Sequence, residues 1–351
     1  MPSKKLSKVT IYDIADRVGV SGATVSRTLN NKEYVSSDIR RQILDVAEEM
    51  GYTPNLAARS LKSSRTNQIM LCMNATRDYF YFDVIEAFVR STTTNGYSAL
   101  FNYTNDVEAE ELKILNNLRN NFVDGLIMIS LNFTQKHLSI IDELDYPVVL
   151  SSISNRRFHI SSEKYNYVGV DTEKGIYIST SHLIKLGHKN IGYVGLPFRT
   201  VDWDERLKGF QSAMADNGLE ICGDWVIVGG YDEAFGYQAG LKIAGTKPLP
   251  TAICASTDMI AIGIYRAFEE KGIRIPADVA IVGMDNTDIC SLLKPKLTSV
   301  LLNQAEIVKT ATELIINKLN NPNGPCRDII FQPELIVRES CGSKKDSSFR
   351  A

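Results

Sequence analysis

Apolar residues recur at helical spacing in three short segments near the start of the chain. They are Ile11, Ile14 and Val18; Ala23, Val25 and Leu29; and Ile39, Ile43, Leu44, Ala47 and Met50. Thr10, with Asp13 three residues later, has the pattern of a capping box. Gly19-Val20 provides a tight turn before Ser21 caps the second helix, and Gly51 ends the third helix, which begins at Ser36 or Ser37. This pattern predicts a helix-turn-helix unit.

Beyond the polar stretch at residues 63–67, apolar strands alternate with helical segments. One series has strands at 69–73, 97–103, 125–130 and 146–150, and a second at 167–170, 190–195, 225–230, 251–256 and 279–285. Such alternation predicts parallel, doubly wound sheets that are covered on both faces. Two series in tandem predict two lobes with a cleft between them. A helix near 304–319 and two short strands after it are too few for a third lobe, so we expect them to complete the first two.

Charge is distributed unevenly along the 351 residues. The whole chain has a net charge of −2, but residues 1–65 hold eleven Lys and Arg against seven Asp and Glu. The first 65 residues therefore carry +4 and the remainder −6. This asymmetry suggests that the head meets a polyanion, although a solvated basic face is the commoner explanation of a few extra lysines.

The cysteines and the hydropathy of the chain limit the class of protein. None of the six cysteines forms a CxxC pair, which indicates reduced thiols in a cytoplasmic protein with neither zinc nor disulfides. The amino terminus has no apolar signal region, and no run approaches 18 apolar residues, so we expect neither secretion nor membrane spanning.

The sequence resembles the lactose-repressor (LacI/GalR) family of bacterial transcription regulators over essentially its whole length. The segments that carry the resemblance are VTIYDIADRVGVSGATVSRTLN, VSSDIRRQILDVAEEMGYTPNLAARSLK, HLIKLGHKNIGYVG, ERLKGFQSAM, STDMIAIGIYRAFEEKGIRIPADVAIVGMDN and PKLTSV. It implies an all-α helix-turn-helix domain at 1–53, a hinge helix and linker at 54–66 and a tail at 343–351. A periplasmic-binding-protein-like effector and dimerisation domain of two parallel-sheet lobes would occupy 67–342. We place lobe 1 at about 67–165 and 298–328, and lobe 2 at about 166–297 and 329–342.

The resemblance implies a DNA-reading surface on the head, with a recognition helix from about Gly22 to Leu29 in the major groove. Arg27 is suited to guanine or phosphate, and short hydroxyl side chains are suited to phosphate oxygens. Gly22 and Ala23 stand where family members differ in operator choice, and neither offers a side-chain hydrogen bond. The residues assigned to DNA here are Thr10, Tyr12, Ser21, Gly22, Ala23, Thr24, Ser26, Arg27 and Asn30.

The segment after Pro54 matches the family's hinge helix, which orders on DNA as a pair from two subunits. A helix of about eight residues is unstable alone because nucleation is costly. Leu61 matches a wedge that enters the minor groove, and Asn55, Ala58 and Lys62 match positions near the groove or backbone. A buried linker leucine is the alternative for Leu61.

The effector is expected between the lobes, at the carboxyl ends of the strands. Matching positions assign Tyr79, Phe80, Ser152, Arg206, Tyr231, Thr257 and Asp285 to it. Ser152 and Thr257 stand where many members have Asp and Asn, and Leu301-Leu302 replaces a common Arg-Gln. The effector therefore cannot be copied from a relative. A neutral sugar suits these residues best, with a purine or a protein corepressor as alternatives.

Other function classes fit the sequence less well. We find no GxGxxG after a strand, no GxxxxGK[ST], no GxSxG and no HExxH, so we expect no enzyme, cofactor or metal site. A transport binding protein would carry no DNA-binding head. The tail lacks a leucine heptad, which predicts a homodimer rather than a tetramer. The expected function is a repressor of a carbohydrate operon, released from a roughly palindromic operator by its effector.

Overall fold

The computed structural model describes residues 9–29, 34–53, 65–74, 79–104, 107–120, 122–130, 133–152, 163–195 and 205–343. The chain forms two compact units, Met1–Thr66 and Asn67–Ala351. Asn30, Asn55, Ala58, Leu61 and Lys62 lie outside the described residues, and their assignment to DNA stays a prediction.

The first unit contains three helices in its described part: α1 (Ile11–Val18), α2 (Gly22–Leu29) and α3 (Ser37–Glu49). The capping box predicted at Thr10 is confirmed, because the backbone N–H of Asp13 donates to the Thr10 hydroxyl while the Asp13 carboxylate accepts from the Thr10 N–H. Gly19 ends α1 in the left-handed conformation, with φ of 76°, which favours glycine. Ile14, Val25 and Ile43, one from each helix, form the centre of a small core.

The second unit alternates strands and helices. Its strands are β1 (Gln68–Asn74), β2 (Ser98–Thr104), β3 (Gly125–Ile129), β4 (Val148–Ser152), β5 (Asn166–Val170), β6 (Ile191–Gly195), β7 (Val226–Val228), β8 (Ala252–Ala255), β9 (Ala280–Asp285), β10 (Thr298–Leu301), β11 (Asp328–Phe331) and β12 (Glu334–Ile336). Its helices are α4 (Phe80–Thr94), α5 (Glu108–Asn117), α6 (Gln135–Ile141), α7 (Thr172–Lys185), α8 (Glu205–Asp216), α9 (Glu233–Ala244), α10 (Asp258–Lys271) and α11 (Gln304–Asn320).

The strands form two six-stranded sheets. Lobe 1 has the order β11-β5-β4-β3-β1-β2, and every pair in it is parallel. Lobe 2 has the order β12-β10-β9-β8-β6-β7, with only β12 antiparallel to its neighbour. In β1, Ile69 and Leu71 pack on one face, and Met70 and Cys72 on the other. Burial of both faces explains why the strands are continuous apolar runs.

The lobe boundaries predicted from the sequence were wrong by about one strand at each crossing. The predicted lobe 2 began before β5, but β5 pairs with β4 and β11 in lobe 1. Likewise β10, assigned to lobe 1, pairs with β9 in lobe 2, and β11, assigned mostly to lobe 2, belongs to lobe 1. The chain crosses after a strand has been completed, because breaking a ladder in mid-strand would leave backbone groups unpaired.

All three crossings therefore leave from the carboxyl end of a strand, namely β5, β10 and β11. They lie side by side: the backbone N–H of Asp171 donates to the carbonyl of Phe331 over 3.2 Å, and Lys174 Nζ donates to Gln332 Oε1 over 2.7 Å. Asn303 Nδ2 also contacts the carbonyl of Gln332 over 3.4 Å. The carboxyl edges of the two sheets consequently face each other across the crossings.

In the described part of the chain, no helix is long and apolar enough to cross a membrane. All six cysteines are free thiols.

Candidate functional sites

The start of α2 is held by two hydroxyl groups. The Thr24 N–H donates to Ser21 Oγ over 3.2 Å, and the two side-chain oxygens lie 2.9 Å apart. These bonds satisfy one of the free N–H groups that every helix start presents. Ser21 and Thr24 therefore have a structural role besides the phosphate contacts predicted for them.

Tyr12 of α1 lies across Gly22, the first residue of α2. A Cβ atom at Gly22 would stand 3.1 Å from both Cδ1 and Cε1 of the Tyr12 ring, a distance that is tighter than normal contact. Tyr12 nevertheless leaves 69% of its surface exposed. The absence of a side chain at position 22 thus lets the tyrosine cover the space that such a side chain would fill.

The remaining described residues of the predicted DNA surface divide by burial. Ala23 and Arg27 are exposed, one helical turn apart along α2, and Ser26 is partly buried. Val25 and Thr28, on the opposite side, are buried. The exposed face of α2 therefore presents the small apolar side chain of Ala23 and the cation of Arg27, with the ring of Tyr12 beside the start of the helix.

Arg206 brings a buried positive charge to the carboxyl edge of lobe 2. It is the second residue of α8 and leaves only 4% of its surface exposed. Its Nη1 donates a hydrogen bond to the carbonyl of Ser256, the residue that follows β8. The Ser256 hydroxyl is also buried, and within the described part of the chain it has no hydrogen-bond partner. A guanidinium presents donors only, so this part of the edge favours a ligand that accepts hydrogen bonds.

The hydroxyl of Thr257 is used within the protein. It accepts from the Ile260 N–H over 3.1 Å as the cap of α10, and it donates to the carbonyl of Tyr231 over 3.0 Å. These two bonds use the hydroxyl's donor and one of its two acceptor lone pairs, and the contact of Thr257 with an effector stays a prediction. The effect of the bonds is to fix Tyr231, whose side chain is 42% exposed at the edge.

Asp285 ends β9 with φ of 117°, and Asn286 follows with φ of 51°. Two such residues in succession are strained unless their surroundings hold them. The Asn286 N–H donates to Ser299 Oγ over 3.0 Å, and Arg338 Nη2 donates to the Asn286 side-chain oxygen over 2.8 Å. Asp285 itself is buried, with 3% of its surface exposed.

Asp258 anchors the loop that follows Asp285. Its carboxylate accepts from Ser299 Oγ (2.5 Å), from the Thr287 N–H (2.9 Å) and hydroxyl (3.1 Å), and from Cys290 Sγ (3.0 Å). Burial raises the pKa of Asp258 to about 6, although these donors act in the opposite direction. Sequence reasoning missed this residue, whose only signal was its place beside Thr257.

Lobe 1 contributes more exposed groups to the edge. Tyr79 caps the start of α4, is 41% exposed and lies with its ring centre 5.9 Å from that of Phe82. Phe80 instead belongs to the core and packs edge-on against Tyr81, and its contact with the effector stays a prediction. Ser152 is buried at the end of β4, where it was expected.

The structure adds Gln304 and Asp83 to the edge. Gln304 Nε2 donates to Asp83 Oδ2 over 3.2 Å and to the carbonyl of Asp285 over 3.3 Å. Burial and the nearby charge of Asp288 raise the pKa of Asp83. Gln304 was missed because it lies beyond the Leu301-Leu302 pair, where the usual polar residues are absent.

Comparison with protein families gives two matches. Residues 10–55 match the bacterial regulatory proteins of the lacI family, and residues 180–341 match a periplasmic binding protein-like domain. The first contains the described helices of the head, and the second contains Arg206, Thr257, Asp285 and Gln304.

Individual proteins are similar along nearly the whole chain. Catabolite control protein A of Priestia megaterium is 31% identical over 313 residues, which are 89% of this chain and 93% of that protein. A lac repressor dimer bound to operator and the anti-inducer ONPF has a TM-score of 0.85 at 23% identity, covering 95% of this chain and 99% of that one. A complex of the regulator CelR with cellobiose has a TM-score of 0.70 at 24% identity, covering 95% of this chain and 100% of that one.

Proposed function

We propose that this chain, which belongs to the lacI family of bacterial regulatory proteins, has an uncharged, polyhydroxylated effector of the carbohydrate class. Like other members of the family, the chain is a DNA-binding repressor with a small-molecule effector. The observation that carries the proposal is the carboxyl edge of the two lobes, where donors and acceptors are both buried. Arg206 offers donors, whereas Asp285 offers acceptors. Sugar hydroxyls both donate and accept, so a ligand of this class is chemically matched to an edge that holds a buried cation and a buried carboxylate.

The aromatic residues of the edge support the same class of ligand. Tyr79 from lobe 1 and Tyr231 from lobe 2 are each about two-fifths exposed, and each is held at its backbone by a helix start or a hydrogen bond. Aromatic rings of this kind offer a flat apolar surface together with a polar hydroxyl. The similarity to a regulator that binds cellobiose agrees with this proposal.

The effector controls operator affinity because its binding site in the body is thermodynamically linked to the DNA-binding site in the head. An effector that binds one arrangement of the lobes more tightly than the other lowers operator affinity by the coupling free energy, typically about 1–3 kcal/mol. We expect the homodimer to act on a roughly palindromic site, because a two-fold symmetric dimer presents two identical recognition helices. Operator DNA is inside the cell, so the proposed location is the cytoplasm.

The body is proposed to bind its ligand without converting it, so the chain is not an enzyme. The ligand's part is to change the lobe arrangement, and its release restores DNA binding. Incubation of the chain with a bound sugar, followed by NMR of the sugar, should return the compound unchanged. A new product in stoichiometric excess over protein would contradict this proposal.

Two experiments test the function. Selection of DNA from a random library by the full chain should yield a roughly palindromic site whose affinity falls steeply with salt. A thermal-shift panel of D-ribose, D-glucose, D-galactose, cellobiose, their phosphates and purine bases should then stabilise the chain with at least one neutral sugar. Stabilisation by a purine alone would replace the carbohydrate class, and no shift from any compound would favour a protein corepressor.

A further inference from the structure

Gln304 lies at the point where the two lobes meet. It is the first residue of α11, directly after the crossing from β10, and only 3% of its surface is exposed. α11 packs against α4 and the strands of lobe 1. The bond from Nε2 to Asp83 therefore stays within lobe 1, whereas the bond from Nε2 to the carbonyl of Asp285 joins lobe 1 to lobe 2.

The orientation of the Gln304 amide follows from its partners. Both recorded partners are oxygens that accept hydrogen bonds, so the NH2 group faces them and the carbonyl Oε1 points elsewhere. Oε1 is buried and has no hydrogen-bond partner among the residues that the structure describes. Buried acceptors are normally paired, and an unpaired one costs stability that its site must recover in another way.

The position of Gln304 indicates what supplies the missing donor. Its amide is held beside the end of β9, and Arg206 is held beside Ser256 at the end of β8. β8 and β9 are neighbouring parallel strands, which run about 4.8 Å apart. A small molecule between the lobes would therefore touch donors at β8 and acceptors at β9.

We propose that Gln304 is a specificity-determining residue of the effector site, in which Oε1 accepts a hydrogen bond from one hydroxyl of the ligand. The NH2 group of the same amide bonds to Asp83 of lobe 1 and to the end of β9 in lobe 2. The ligand hydroxyl would therefore bind at the junction of the two lobes. The Asp83 carboxylate and the main-chain carbonyl of Asp285 lie beside the same amide, so this end is rich in acceptors and disfavours a phosphate or carboxylate. The inference rests on the proposed carbohydrate effector and adds the residue that reads one of its hydroxyls.

The test is a thermodynamic cycle on the full chain, in which the Gln304 side chain and single hydroxyls of the ligand are removed separately and together. Calorimetry gives the Kd of each of D-ribose, D-glucose, D-galactose and cellobiose, and of their monodeoxy derivatives, for the wild type and Gln304→Met. For the sugar that binds, one deoxy position should weaken the wild type about 10-fold or more and Gln304→Met less than 2-fold, because a site built for a hydroxyl rejects its absence. Glu306→Gln, an exposed change in the same helical turn, should behave as the wild type.

Equal factors for the wild type and Gln304→Met at every deoxy position would overturn the role of Gln304 while leaving the carbohydrate effector intact. No binding of any sugar by the wild type would contradict the proposed function, and with it this assignment. Should Gln304→Met fail to fold, NMR of the wild-type side-chain amides decides the matter. The Gln304 NH2 signal, identified by its loss in Gln304→Glu, should shift with the sugar and less with the critical deoxy derivative, and an unchanged signal would contradict the proposal.

Discussion

In the head, α2 begins with a glycine and an alanine, and Tyr12 beside them is largely exposed. At the carboxyl edge of the body, Arg206, Asp285 and Gln304 are almost fully buried. DNA brings a dense row of phosphates, so a surface that meets it gains affinity from charge and needs few base-reading side chains. A small neutral ligand brings no such charge, and its site must be prearranged from buried polar groups.

The largest effect is expected from Asp258, whose buried carboxylate fixes the loop after Asp285 and so tests whether the body is built on buried polar groups. Its folded-state pKa of about 6 lies above the ordinary aspartate value of 3.8, so the folded chain binds the proton more tightly than the unfolded chain. Its contribution to stability is complete below pH 3.8 and is lost as the pH rises through about 6. At about 1.36 kcal/mol per pKa unit, the loss is about 3 kcal/mol.

Urea unfolding of the wild type and Asp258→Asn between about pH 3 and pH 7 measures this effect. The difference between the two unfolding free energies should change by about 3 kcal/mol over that range, in favour of the wild type at low pH. Asp45→Asn, a change on an exposed residue of the head, serves as control. A difference that does not vary with pH would contradict the prediction that burial raises the pKa of Asp258.

The next largest effect is expected at Arg206. Arg206→Met removes a charged donor and leaves the carbonyl of Ser256 without its partner, so the affinity for the bound sugar should fall about 100-fold. The affinity of the variant for the selected DNA without sugar should be unchanged. Lys208→Met, on the same helix but exposed and paired with Glu173 over 3.2 Å, should retain sugar binding. Equal loss in both variants would remove Arg206 from the site.

A smaller effect is expected in the head, at Gly22. Gly22→Val places methyl groups where the Tyr12 ring lies, so the ring must move away from α2. Affinity for the wild-type selected site should fall about 10-fold, and a repeated selection should return a different preferred base near the recognition helix. Gly22→Ala, which adds only a Cβ, should have a weaker effect. An unchanged preference in the valine variant would show that Tyr12 does not depend on position 22.

The smallest effect is expected at the exposed part of the cleft. Tyr79→Ala should weaken sugar binding about 5-fold, because an exposed aromatic contact contributes on the order of 1 kcal/mol. Titration under the conditions used for Arg206→Met makes the two losses comparable. A loss at Tyr79 as large as that at Arg206 would mean that the lobes share recognition equally.

The architecture could be predicted because the periods of apolar residues differ between helices and strands. The capping box at Thr10 and the parallel strands such as β1 follow from local sequence. The lobe boundaries did not follow, since a buried strand such as β5 has the same composition whichever sheet receives it. The strand β10 was missed as well, because its buried Thr298 and Ser299 interrupt the apolar run.

The sequence placed Arg206 and Asp285 at the carboxyl ends of strands, where the structure buries both, and their contact with an effector stays a prediction. The sequence did not predict bonds that neighbouring residues decide. The hydroxyl of Thr257 accepts a hydrogen bond from the first turn of α10 and donates one to the carbonyl of Tyr231, and Phe80 packs in the core. Gln304 could be recognised as a site residue only from the structure, in which its amide bonds both to Asp83 and to the carbonyl of Asp285.

The central claim is that a ligand in the cleft controls the DNA affinity of the head. This claim can be measured by fluorescence anisotropy of the selected DNA with the full chain, titrated with the sugar that stabilises it. Saturating sugar should raise the Kd for DNA at least 5-fold in the wild type and leave the Kd of Arg206→Met unchanged at the same concentration. An unchanged Kd in the wild type, with the sugar demonstrably bound, would contradict it.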